Sequence, residues 1–370
     1  MKIAILTTYF WPDENGLTRY IDGLYSSLLK KHPDIEVDVI AFDTLKTGKY
    51  EEKYKNFNVR RVKCIPILGR TYAFPTISGC RQLKKIFRKN KYDIINTHTR
   101  FFFTSFLGIR LGKKYDIPVI HTEHGGGFVQ HGNKFISMLA KAYDLVLGKY
   151  TIKNSKMVCP ISKVSERFVK KLGARNTTII YNGISIDFWK ERNDLSKMKA
   201  ALNIEGEDVV FSFVGRLVPS KGCQDIFEVL RYINIKNWKL LIAGEGFYKK
   251  KLELLVEKYN LKNNIIFLGY QNESQLRNLY QLSDLYINSS FAAEGGPRTI
   301  LEASAAGCRC LSTGTGFADE VLDKENIYES GNISELKEKI SNYKKLPVAD
   351  VRQFDWENIS SKFFKVLKSL

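Results

Sequence analysis

Twice along its length the chain runs an apolar strand into a glycine-bearing loop and then into a helix. That repeated unit limits the fold more than any other feature. The first copy is KIAILTT, the Asp13–Gly16 loop, and a helix from Leu17 to Lys30 with Tyr20, Leu24 and Leu28 on one face. The second is DVVFSFVGRLVPSKG (208–222), entering a further helix. Strands that stay apolar without alternation are buried on both faces, the condition of a parallel sheet covered by helices. EVDVIAF (36–42), NVRRVKC (58–64), YDIINTH (92–98), PVIHTEHGGG (118–127), MVCPIS (from 157) and TTIIYNGI (177–184) read as strands of the first half. KLLIAGEG (239–246), NIIFLGYQ (264–271) and RCLST read as strands of the second. The expected class is therefore α/β, two Rossmann-like doubly wound domains, and 370 residues suffice for both. The dinucleotide fingerprint is absent, because Gly16 stands alone where G-x-G-x-x-G is needed.

Ser289–Gly316, SSFAAEGGPRTILEASAAGCRCLSTGTG, is chemically the densest stretch. A strand breaks into small residues and two glycines, and Pro297 suits a first helical position. Leu301, Ala305 and Ala306 give a short apolar stripe, and Gly307 ends the helix. A helix N-terminus preceded by glycines suits a phosphate group. Glu302, one turn into the helix, can accept hydrogen bonds from vicinal hydroxyls such as those of a ribose. Glu294, on the loop, can reach hydroxyls beyond the phosphates. In the second copy of the strand–loop–helix unit, Arg216 and Lys221 stand beside another helix start, a bidentate donor and a point charge of the kind a pyrophosphate needs.

The charge is uneven. Residues 1–200 hold 36 Lys and Arg against 17 Asp and Glu, so the whole formal excess of +19 sits there. An anionic partner for that half follows: a membrane surface, a phosphorylated acceptor or, less favoured, nucleic acid. RQLKKIFRKNKY (81–92) reads as a basic amphipathic helix whose Leu83, Ile86 and Phe87 face the core rather than a bilayer interface. Six scattered cysteines, with no zinc-knuckle spacing, point to reduced thiols and a cytoplasmic setting. No signal peptide or apolar run of membrane-spanning length is read.

The run from Glu294 to Glu302 resembles the E-x7-E motif of retaining glycosyltransferase family 4. Gly215–Gly222 resembles that family's G-R-x-x-x-x-K-G segment, Thr122–Gly125 its histidine–glycine segment, and Tyr181–Ile184 the N-G-I-D segment closing its first domain. The resemblance spans nearly the whole chain and implies a GT-B architecture, the two domains facing a central cleft. Residues 1–186 would form the acceptor-binding domain, with helix 356–370 packing back on it, and 187–355 the nucleotide-sugar-binding domain. The implied reaction is retaining transfer of a hexosyl or N-acetylhexosaminyl group from a nucleotide-diphosphate donor, a UDP-sugar, to an acceptor hydroxyl on a lipid-linked or surface-glycan acceptor. In this frame His124 and Glu294 are catalytic. Gly16, Arg216, Lys221, Tyr270, Gly295, Gly296, Arg298 and Glu302 bind the donor, the glycines and Arg298 through their backbones. No metal or other cofactor is expected. His121, His124 and His131 are rejected as metal ligands for want of an acid at a suitable spacing. Peripheral attachment at the inner face of the membrane is the expected location, with no nucleic acid as partner.

Three departures from the family pattern stand out. Asn15 replaces the first of two glycines, and its tolerance of positive φ would preserve the loop. Ser185 stands where aspartate is usual. Gly-Gly-Pro follows the first acid in place of Gly-Phe-Gly. Two alternatives fit less well: a GT-B-type UDP-sugar epimerase, whose acid and base find no place in the sequence, and a basic nucleic-acid-binding protein, for which no reading motif is present.

Overall fold

Two parallel sheets, each covered by helices, carry the chain, and the computed structural model describes residues 1–67, 72–128, 134–291 and 298–370. Met1–Gly183 with Trp356–Leu370 form one compact unit and Ile184–Asp355 the other.

In the first unit, strands β1 (Lys2–Thr7), β2 (Glu36–Phe42), β3 (Glu51–Tyr54) and β4 (Phe57–Val62) are followed by β5 (Cys64–Ile67) and β6 (Tyr72–Pro75). Then come β7 (Ile94–His98), β8 (Val119–Glu123) and β9 (Met157–Pro160). The sheet order is β3-β4-β2-β1-β7-β8-β9, with only the β3–β4 pair antiparallel, while β5 and β6 form a separate antiparallel ribbon. Ile3, Ile5, Val37, Val39 and Ile120 are wholly or almost wholly buried, as strands lying between two layers of helices require. TTIIYNGI does not become a strand. It runs extended beside β9, held by Thr178 N–H to Val158 O (3.1 Å) and Ile180 N–H to Pro160 O (2.9 Å), and pairs only through isolated bridges at Thr177 and Ile184.

Helix Gly16–Lys31 lies against the closing helix Trp356–Lys368. The Ser27 and Ser360 hydroxyls meet at 2.9 Å, and the Tyr25 and Phe363 rings meet edge to face. Trp356 is seated between two glycines. A Cβ on Gly23 would stand 2.2 Å from its ring and one on Gly183 2.4 Å, so both positions must lack a side chain. The basic helix starts earlier than the sequence suggested, at Ile77, because the Thr76 hydroxyl accepts from Gly79 N–H as an N-cap. Its Leu83 and Phe87 are buried and Ile86 packs beside them, so its apolar side serves the core.

The second unit holds β10 (Val209–Val214), β11 (Trp238–Ala243), β12 (Ile265–Gly269), β13 (Leu285–Asn288), β14 (Arg309–Thr313) and β15 (Ile327–Tyr328). They are all parallel, in the order β12-β11-β10-β13-β14-β15. The order reverses direction between β10 and β13, and in the first unit between β1 and β7. The carboxyl ends flanking such a reversal are where doubly wound sheets bind ligands.

Candidate functional site

In the second unit the reversal point gathers loops that hold one another through backbone. After β10, Leu217 N–H donates to Glu245 O (2.9 Å), and Tyr248 N–H donates back to Leu217 O (3.0 Å). After β13, Phe291 N–H donates to Ser220 O (2.8 Å) and the Ser289 hydroxyl to Lys221 O (3.1 Å). Gly222 makes this approach possible, since it has φ +67° and a Cβ there would stand 2.0 Å from the Ser289 carbonyl oxygen. Arg216 is exposed on this loop, and no described residue pairs with its guanidinium. Lys221 is half-buried, and its side chain passes Gly215, where a Cβ would lie 4.0 Å from the lysine Cδ. Two cations thus share one loop at the sheet's ligand edge. Tyr270 follows β12 on the same edge and is 68% exposed, presenting its ring to solvent.

Glu302 differs from an ordinary helix acid. It is buried in the helix Arg298–Ala305, with Arg298 Nε 3.5 Å from its Oε1. Arg298 also reaches Glu273, at 3.5 Å. Its guanidinium therefore sits between two carboxylates, a role that its expected backbone contact did not foresee. Burial, with the Glu302 charge adding to it, raises the neighbouring Tyr280 hydroxyl well above its usual value. Leu301, Ala305 and Ala306 are buried as the stripe required, and Gly307 ends the helix at φ +86°. Glu294, Gly295, Gly296 and Pro297 lie outside the described residues.

The first unit's ligand edge is built on buried polar groups. His98 ends β7, wholly buried, and its Nδ1 is 3.2 Å from His124 Nε2. The Tyr20 ring meets His124 edge to face, with centroids 4.7 Å apart. Burial holds both imidazoles below the usual histidine value, His98 well below and His124 to about 4, so both are neutral at pH 7. One N–H is therefore shared between the facing nitrogens, and His124 acts as a neutral hydrogen-bonding group.

The loop bearing His124 is anchored by Glu123 and Arg100. The Glu123 carboxylate accepts from Arg100 N–H (3.1 Å), Arg100 Nη1 (2.8 Å) and Gly125 N–H (2.7 Å), and faces His121 Nε2 at 3.2 Å. Burial pushes that carboxyl up, but Arg100 and these hydrogen bonds outweigh it and hold it at about 2. Arg100 Nη2 donates to Gly127 O (2.6 Å) and Asp144 (2.9 Å). Asp144 has this one cation shared with Glu123, and burial pushes its carboxyl up to about 6. His121 and Glu123 lie within β8 rather than in the glycine loop, and both are fully buried. Arg100, Asp144 and the pairing of His98 with His124 were not foreseen from sequence. The available signal was a lone acid, Asp144, inside an otherwise apolar and basic helical stretch.

Asn15 corrects another expectation. It adopts φ −149°, an extended conformation, and caps helix Gly16–Lys31 by accepting from Leu17 N–H (3.0 Å) and Thr18 N–H (3.1 Å). Two amides that an anion would use are thereby taken. At Gly16 a Cβ would meet nothing within 4 Å, so the helix start is open. Among the described residues no cluster of His, Cys, Asp or Glu is arranged to hold a metal ion. None of their helices is long and apolar enough to cross a membrane. His131 lies outside the described residues.

A doubly wound sheet in each unit, with a two-cation glycine loop at the reversal point of the second, defines an α/β protein of two Rossmann-like units. Residues 14–188 match the model of Glycosyltransferase Family 4, and 194–355 that of Glycosyl transferases group 1. The chain belongs to the GT-B glycosyltransferases of the family 4 type. An uncharacterized glycosyltransferase of Methanocaldococcus jannaschii is 27% identical over 385 residues, covering 98% of this chain and 95% of its own. The UDP-Gal:alpha-D-GlcNAc-diphosphoundecaprenol alpha-1,3-galactosyltransferase of Escherichia coli is 28% identical over 238 residues, covering 62% of this chain and 59% of its own. Among solved structures, Anabaena HepE in complex with UDP and glucose superposes with a TM-score of 0.76 at 20% identity, covering 100% of both chains.

Proposed function

We propose that this glycosyltransferase moves a hexosyl or N-acetylhexosaminyl group from a UDP-sugar to a hydroxyl of a lipid-linked or surface-glycan acceptor, retaining the anomeric configuration. The bond from the sugar C1 to the β-phosphate oxygen breaks with its electron pair going to UDP. The acceptor oxygen bonds C1 on the face the diphosphate left, and its proton passes to the departing phosphate. The observation that carries this reading is the pairing of Arg216 and Lys221 on the loop after β10, at the edge where the sheet order reverses. Their charges would stabilise the developing diphosphate, at roughly 3–4 kcal/mol per preorganised donor.

Glu302 would hold the ribose hydroxyls, and the Tyr270 ring would stack on the base. Glu294 would orient the sugar, with the Gly295, Gly296 and Arg298 backbones beside the phosphates. The neutral His124 would hydrogen-bond the sugar, and the Gly16 backbone, bare of a side chain, would approach the phosphates. No metal enters the proposal, since the two cations take its place. UDP in the complex of the Anabaena protein supports the choice of base. The diphosphoundecaprenol acceptor of the Escherichia coli relative and the basic first half support a lipid-linked acceptor and an anionic membrane surface. The family match disfavours the epimerase and nucleic-acid readings.

The test is nucleoside diphosphate release from a panel of UDP- and GDP-sugars, with sugar-diphosphate polyprenols and diacylglycerol as acceptors. One UDP-sugar should turn over, unaffected by EDTA. Lys221→Ala and Glu302→Ala should lower that rate about a hundred- to a thousand-fold. Near-normal rates in both variants would contradict the site, and preference for a GDP-sugar would contradict the donor.

A further inference from the structure

The helical stretch Lys134–Asn154 presents its apolar side outward. Phe135 is 61% exposed, Met138 58%, Leu139 53% and Val146 67%, with Leu145 and Ala142 exposed along the same line. Positions 135, 138, 139, 142, 145 and 146 recur at helical spacing, so they form one stripe over three turns. The opposite side is where the polarity is buried: Asp144 faces inward to Arg100, and Ala140 and Gly148 are buried with it. A helix with its carboxylate inside and its large apolar side chains outside is inverted relative to a surface helix of a soluble domain.

A second segment brings more apolar surface to the same place. Ile65 and Ile67 on the β5–β6 ribbon are exposed, Ile67 pairs with Tyr72, and the Tyr72 ring lies 6.2 Å from that of Tyr143 on the helix. The exposed charges along this stretch of the chain have one sign. Lys134 and Lys141 are exposed, Lys149 follows, and between His124 and Ser165 the only acid in the sequence is the buried Asp144.

We infer that this stripe is the surface by which the protein docks on an anionic lipid bilayer, its apolar side chains entering the interface and its lysines meeting the headgroups. The inference rests on the membrane reading given above and places the contact on the inverted helix, since the apolar side of the most basic helix is spent on the core. Charge complementarity selects this occupant. A second copy of the chain seated on the same face would oppose lysine to lysine, because a two-fold interface pairs a patch with itself. An anionic bilayer satisfies both the apolar and the basic parts.

Co-sedimentation with vesicles of phosphatidylcholine, alone or mixed equally with phosphatidylglycerol, tests this with the full-length protein. Wild type should bind the anionic vesicles, and the triple variant Phe135→Ser, Leu139→Ser, Val146→Ser should lose about tenfold or more in partitioning. Its circular dichroism and UDP affinity should match wild type, which separates lost docking from lost folding. The tryptophan emission of Leu139→Trp should shift to the blue on anionic vesicles. Wild type and triple variant binding equally would overturn the stripe while leaving the membrane reading intact. Wild type ignoring anionic vesicles at low salt would overturn both, leaving the transferase reading standing. A wild-type dimer that the triple variant dissociates, with no vesicle binding by either, would make the stripe a self-association surface and overturn the inference.

Discussion

The two sheets present their ligand edges in opposite ways. In the first unit the edge is built from charged and polar side chains withdrawn from water: Arg100, Glu123 and Asp144 bonded together, with His98 against His124. In the second it is built from glycine loops and backbone hydrogen bonds, with Arg216 and Tyr270 left to solvent. The first edge is fixed before any ligand arrives. The second carries an exposed arginine, Arg216, and a half-buried lysine, Lys221, on one loop. The difference teaches what each edge is sensitive to: loss of a buried charge partner in the first unit, and loss of a close backbone approach in the second.

The largest expected effect lies in the first unit. Arg100→Ala removes the cation shared by two buried carboxylates, and breaking a buried pair of this kind costs about 3–5 kcal/mol. Chemical denaturation should show that loss, and a change below about 1 kcal/mol would mean that the network contributes little. The equivalent lesion in the second unit is steric. Gly222→Ala places a side chain at φ +67° against the Ser289 carbonyl and should cost about 1–3 kcal/mol. Gly16→Ala, where no atom lies within 4 Å, should leave stability within about 0.5 kcal/mol of wild type. Equal melting temperatures for these two glycine variants would erase the contrast between a forced approach and an open helix start.

Acid should expose the same asymmetry more gently. His98 and His124 are held below their usual value, His124 at about 4, so as pH falls below about 6.5 the unfolded chain binds protons that the folded chain refuses. The stability due to the neutral pair is present above that pH and is lost toward pH 4. Asp144, raised to about 6, works the other way and gains stability as pH falls through its value. Two imidazoles outweigh one carboxyl, so the melting temperature should decline from pH 6.5 to pH 4. It should drop further as Glu123, held at about 2, begins to resist its proton. A melting temperature that stays level across the first window would contradict the buried neutral pair.

Local pattern made the fold readable. Apolar runs such as EVDVIAF and KLLIAG became parallel strands, and their alternation with helices fixed the doubly wound class. TTIIYNGI misled because β-branched residues also suit an extended segment held by only a few bonds. At the site, residues inside one loop or helix could be read together, as Arg216 with Lys221, and Glu302 within its helix. Residues joined only by folding could not. Arg100 meets Glu123 and Asp144 from 23 and 44 positions away, and His98 meets His124 from 26. Asn15 was read by its tolerance of positive φ, when its side-chain oxygen was the relevant property.

The central claim is that the two cations on the loop after β10, Arg216 and Lys221, grip a nucleoside diphosphate. Calorimetric titration of UDP into wild type, Arg216→Ala/Lys221→Ala and His124→Ala tests it directly. The account predicts binding by wild type, loss of at least about tenfold in affinity for the double variant, and little change for His124→Ala. Equal UDP affinity in wild type and the double variant would contradict it.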